Sequence, residues 1–149
     1  MAIIESTRIG TIEYKEDEII SFGNGIPGFN DEKRFIIYQP ESGNPLAFMQ
    51  SLQSKDLMFV IADPFTFFPD YQFNINDAII EELKVEANSD LSIWGILSVP
   101  DNFQESTINL RAPLLINYKS KAGKQYIINE TNFSAKTPLF PHLVEEGSR

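Results

Sequence analysis

Leu57-Met58-Phe59-Val60-Ile61-Ala62 is apolar at every position and stops at Asp63-Pro64-Phe65-Thr66-Phe67-Phe68-Pro69-Asp70-Tyr71. A short run of that kind, bounded by turn signals, reads as a strand covered on both faces and central in its sheet. The two prolines that come next prevent a regular central strand, so four aromatic rings are expected in a loop between elements. Upstream, residues 46–52 alternate less cleanly, which places that strand nearer an edge.

Working outward, strand signals recur with turn chemistry between them at the spacing of sandwiches and barrels. Strands are expected at 8–14, 18–22, 34–39, 46–52, 57–63, 71–75, 91–99, 106–110, 114–118 and 124–129. Gly23-Asn24-Gly25-Ile26-Pro27-Gly28 joins residues tolerant of positive φ to a fixed-φ proline. Residues 40–45 hold another Gly-Asn pair, Gly123 reads as the hairpin residue within 119–124, and Pro100 closes the run before it. One segment differs: Asn76 or Asp77 can cap a helix in which Ile79, Ile80 and Leu83 share a face. That short helix, over 77–84, is expected to plug one end of the sheet system. The fold class is all-β, a single-domain antiparallel β-barrel or barrel-like sandwich over 1–146, and the tail Gly147-Ser148-Arg149 resembles a cloning scar.

With 149 residues and 42% hydrophobic content, the chain can bury one core and fold alone. No apolar stretch opens the chain as a signal peptide would, and no run approaches the ~18 residues of a membrane span, so a cytoplasmic protein is expected. Zero cysteines exclude disulfides, thiolate nucleophiles and sulfur-ligated metals. The net charge of −9 is uneven, because residues 1–100 carry sixteen acids against six bases and 101–149 carry five against six. Such a field repels phosphate backbones and steers cationic partners, which speaks against direct nucleic-acid binding. Composition alone is also satisfied by a plainer role, keeping the protein dispersed.

Chemistry finds little support. The sole histidine, His142, lies in a tail that carries Pro138 and Pro141, away from any nucleophile it could serve as base, so no hydrolytic triad is expected. Glu81 and Glu82 point about a hundred degrees apart on a helix and suit solvation, no calcium-loop spacing occurs, and Gly23, Gly25 and Gly28 open no phosphate cradle. No cofactor or metal is expected. A barrel that holds an apolar small molecule is the alternative, although twelve phenylalanines would fill its interior. The candidate partner-binding residues are Phe65, Phe67, Phe68, Asp70, Tyr71, Asp63 and Asp56. In that set Phe65 and Tyr71 are expected to turn inward, while Phe67 and Phe68 read equally as interface or core. The acids supply steering charge around aromatic anchors.

Gly25-Ile26-Pro27-Gly28-Phe29, Leu46-Ala47-Phe48-Met49-Gln50-Ser51-Leu52, the run from Leu57 to Pro64 continuing into Phe68-Pro69-Asp70-Tyr71, Thr107-Ile108-Asn109-Leu110-Arg111-Ala112-Pro113-Leu114-Leu115-Ile116-Asn117 and Gln125 occur in an order that resembles the FliW family of flagellar assembly factors. The resemblance covers about residues 9–133. It implies a non-enzymatic β-barrel that binds CsrA, a small dimeric RNA-binding regulator of translation, and also flagellin. In that scheme the protein holds CsrA away from flagellin messenger RNA without occupying its RNA groove, until newly made flagellin competes for it. Asn109 and Asn117 are candidates for structural hydrogen bonds.

Overall fold

The computed structural model describes residues 2–23, 25–41, 43–129 and 132–140. His142, the tail 147–149 and Asn24 lie outside the described residues. In chain order the strands are β1 Ala2–Ser6, β2 Gly10–Tyr14, β3 Ile20–Ser21, β4 Arg34–Tyr38, β5 Leu46–Ser51, β6 Met58–Ala62, β7 Leu91–Ser98, β8 Thr107–Ile108, β9 Leu114–Asn117, β10 Ala122–Gln125 and β11 Thr137–Pro138. Two short helices, α1 Pro64–Phe67 and α2 Asp77–Glu82, come after β6. None among the described residues is long and apolar enough to cross a membrane.

Seven strands, in the order β3-β4-β5-β6-β7-β9-β10, form a closed barrel. Directions cannot alternate all the way round an odd-membered ring. One neighbouring pair has to be parallel, and it is β10 with β3, where Ala122 sits opposite Ser21 and the Ser21 amide donates to the Lys121 carbonyl at 2.9 Å. The other pairings are antiparallel. The fold class expected from sequence therefore holds, with this one parallel seam added.

Alternation along each strand sends one set of side chains inward. Phe22, Phe35, Met49, Ile61, Trp94, Leu114 and Ile116 meet inside as one cluster. Each such fully buried side chain contributes about 1.5–3 kcal/mol. Gly123, expected as a turn residue, instead lies within β10, where a Cβ would stand 2.6 Å from Phe22 Cζ. The positive-φ residue of that connection is Lys121. Strand β5, expected nearer an edge, is central between β4 and β6, and its polar end is buried, with Gln50 Nε2 donating to the Ser51 carbonyl at 2.9 Å.

The outward-facing residues also need cover. The hairpin β1–β2, only partly foreseen because the first strand was expected to start at residue 8, packs Ile4 and Ile12 on Ile36 of β4. Helix α2 sets Ile79 and Leu83 against Leu115 of β9. It therefore covers the barrel wall and does not plug an end: Leu114 and Ile116 face the interior, which leaves Leu115 and Asn117 beneath the helix. Asn117 is fully buried, and its Nδ2 donates to the Leu83 carbonyl at 2.8 Å. Asn109 is structural as well, since its Oδ1 accepts from the amides of Arg111 at 3.1 Å and Ala112 at 2.9 Å.

The end of α2 is a Schellman motif. The Val85 amide donates to the Ile80 carbonyl at 2.9 Å and the Lys84 amide to the Glu81 carbonyl at 3.1 Å, with Lys84 at φ 57°. Glycine ordinarily fills this left-handed position, where a side chain costs roughly 1 kcal/mol. Replacing Lys84→Gly should therefore raise unfolding stability by about 0.5–1 kcal/mol, read as a higher midpoint in guanidinium with unchanged slope.

Candidate functional site

Strand β6 ends because Asp63 caps the helical turn α1 directly after it. The Asp63 carboxylate accepts from the Phe65 amide at 2.9 Å, Pro64 occupies the first helical position, and α1 makes a single turn. From sequence, irregular loop was expected here. The prolines do end the strand, but the first is also well suited to start a helix.

That turn distributes the rings. Pro64 is buried, Phe67 and Phe68 are half-buried against the cluster of Ala62, Leu97 and Ile108, and Phe65 is 40% exposed. Phe65 was expected to point inward. It points outward because one helical turn faces the wall through Pro64, Phe67 and Phe68, and its ring lies against Tyr71 with centroids 5.7 Å apart. Tyr71 is inward as expected, at 5% exposure. Its hydroxyl donates to the Leu110 carbonyl at 2.6 Å, and its ring meets Phe133 at 4.8 Å and Phe73 at 5.3 Å. Burial pushes the phenol well above its ordinary range. Tyr71 is thus the anchor of the segment.

Asp70 is exposed on the rim of a shallow groove of about 350 Å³ walled by Phe67, Phe68, Leu110 and Phe133. Asp63, Phe65, Phe67, Phe68, Asp70 and Tyr71 are therefore brought together. Asp56 is not. It lies in the turn before β6, where it accepts a hydrogen bond from the Thr7 hydroxyl. Asp63 follows the other end of β6, so the length of that strand, about 3.3 Å for each of its residues, separates the two carboxylates.

The structure adds rings that sequence reasoning did not assign. Phe140 lies edge-on to Phe67 at 6.1 Å, and Phe103, 44% exposed, lies 5.5 Å from Phe140. Phe103 stands among Asp101, Asn102, Gln104 and Glu105, so an aromatic in a polar turn was the one available signal. Its distance along the chain from Phe67 hid the connection. Among the described residues no three His, Cys, Asp or Glu side chains are placed to hold a metal.

The comparisons with known proteins bear on the whole chain. A family model described as FliW protein matches residues 3–139. The chain belongs to the FliW family. The flagellar assembly factor FliW of Anoxybacillus flavithermus is 39% identical over 142 residues, covering 95% of this chain and 97% of that one. FliW of Alkaliphilus metalliredigens is 42% identical, covering 90% and 83%. A crystal structure of the flagellar assembly factor FliW superposes with a TM-score of 0.88 at 38% identity, covering 94% of this chain and 98% of the other. The closed seven-stranded barrel is thus the FliW barrel.

Because Tyr71 holds the FliW loop to the wall, Tyr71→Phe should cost about 1–2 kcal/mol by leaving the Leu110 carbonyl without its donor. The pH dependence has a definite sign. Below about pH 10 the phenol is protonated in both folded and unfolded chains, so its contribution is complete; above that the unfolded chain ionises first and stability falls. Denaturant titrations from pH 8 to 11 should show a smaller alkaline loss for Tyr71→Phe than for the parent.

Proposed function

We propose that this FliW chain acts in flagellar assembly by protein binding alone, in the cytoplasm, engaging the translational regulator CsrA and flagellin through the face built by Asp63, Phe65 and Asp70. The observation that carries the reading is the exposed Phe65 ring, held in place by Asp63 and Tyr71, with the exposed Asp70 next to Tyr71 in the chain. A rigid aromatic loses little entropy when a partner buries it, and adjoining acids favour a cationic or amphipathic partner. The names of the FliW relatives support flagellar assembly as the setting. The two partners are those that the family resemblance implies.

A docked acidic body also offers a route to non-competitive inhibition. Its charge repels phosphate within about 8 Å at physiological salt, so RNA is disfavoured on CsrA without its groove being filled. The alternative, an apolar ligand inside the barrel, is poorly supported because Phe22, Phe35, Met49 and Trp94 fill the interior.

Titration calorimetry with purified CsrA and with flagellin tests the site. Phe65→Ala and Asp70→Lys should each weaken at least one partner by about tenfold, roughly 1.4 kcal/mol, with melting temperature nearly unchanged. Phe68→Ala is a poorer probe, since its half-buried ring also carries packing. Parent-like affinity for both partners in both variants would remove the assignment. Steering makes a second measurement informative: raising salt should slow association with CsrA far more than it alters dissociation, and a salt-independent association rate would contradict the electrostatic account.

A further inference from the structure

Residues 71–76 were expected to include a strand, and they keep the alternation of one: Tyr71, Phe73 and Ile75 turn in while Gln72, Asn74 and Asn76 are exposed. They nonetheless join no ladder. A β-strand needs a neighbour, and the backbone that faces this stretch across a groove is the continuation of β10 at 126–128. That stretch is paired on one side, through the Tyr126 amide to the Pro113 carbonyl and the Ile128 amide to the Arg111 carbonyl, both at 2.8 Å. Amides at successive positions of an antiparallel strand point to opposite sides. The Ile127 N–H and carbonyl therefore face away from 111–113, and among the described residues they carry no hydrogen bond.

The two segments are linked across their gap by the Tyr126 hydroxyl, which donates to the Asn74 carbonyl at 3.2 Å. Between them runs a groove of about 650 Å³. Its floor is aromatic, from Phe73, Tyr126 and Phe133, and its walls carry the carboxamides of Gln72, Asn74 and Asn129. A carboxamide offers donor and acceptor together, which matches a peptide backbone better than an ion. None of the lining residues is charged. Asp77 adjoins the lining residue Asn76, and Asp70 lines the neighbouring groove that shares Phe133. An unpaired edge, an aromatic floor without charge of its own and the flanking carboxylates of Asp77 and Asp70, set against the single guanidinium of Arg111 across the ladder from Ile128, define the occupant.

We infer that this groove receives an extended segment of a partner polypeptide as an added strand. Its backbone pairs with the Ile127 edge, alternate apolar side chains rest on Phe73 and Tyr126, and basic side chains lie toward Asp77 and Asp70. The groove shares only the charge of Asp70 with the proposed face, does not use the Phe65 ring and requires nothing of CsrA or flagellin, so the response of Phe65→Ala separates the two assignments and either can fail while the other stands.

The probe is a peptide of about eight residues alternating valine and lysine, a usual strand length, added to the intact isotope-labelled chain. At saturation the Ile127 amide should exchange with solvent at least about tenfold more slowly. A valine–glutamate peptide should bind at least about tenfold more weakly, and so should the valine–lysine peptide N-methylated at its backbone amides. No binding up to about 1 mM, unchanged Ile127 exchange at saturation, or full affinity of the N-methylated peptide would each overturn the inference. A dimer in sedimentation that protects Ile127 without peptide would also overturn it, by making a second copy of the chain the occupant.

Discussion

Closure of the barrel at one parallel contact is the constraint on which the rest of the structure depends. Seven strands cannot alternate in direction around a ring, so β3 and β10 meet side by side through Ser21 and Ala122. Once closed, the ring has no free edge within it and an interior just wide enough for side chains. Phe22 lies against the bare backbone of Gly123 at that seam, which couples closure to interior packing. A larger residue at 123 would push the two strands apart where they are held most lightly.

Closure also creates an outer surface that is far from polar. Ile36, Val60, Ala62, Leu97 and Leu115 point away from the interior and need burial of their own. The hairpin β1–β2, helix α2 and the segment 64–73 supply it, each laid on a different stretch of wall. The face proposed for partner binding grows out of this covering layer. A segment that must press Phe67, Phe68 and Tyr71 onto the wall within a single turn of helix leaves Phe65 on the far side, beside Asp63 and Asp70. Packing thereby fixes an exposed ring without any separate scaffold.

The charge distribution acts at longer range than these contacts. Acids outnumber bases in the first two-thirds of the chain, and between Lys55 and Lys84 there is no base at all. The segment that carries the exposed Phe65 ring and the unpaired stretch 71–75 therefore bears charge of one sign. For the partners proposed above, such charge sets the rate of encounter, and the local geometry of ring and backbone edge sets how long a partner stays.

Much of the barrel was legible in the chain itself. The apolar run at 57–62 identified a central strand, alternation marked most of the others, and Asn76 with Ile79 and Leu83 announced α2, because these signals depend only on neighbours within a few residues. Absence of cysteine and the acidic bias were equally local facts. What tertiary structure alone decided were relations between distant segments: the parallel seam of β3 with β10, the placement of α2 on the wall, the separation of Asp56 from Asp63, and the meeting of Phe67 with Phe140 and Phe103. The strand-like pattern at 71–75 makes the physical reason plain. Alternation reports which side chains will be covered, but a ladder requires a second backbone at the right distance, and only the folded chain determines whether one is there.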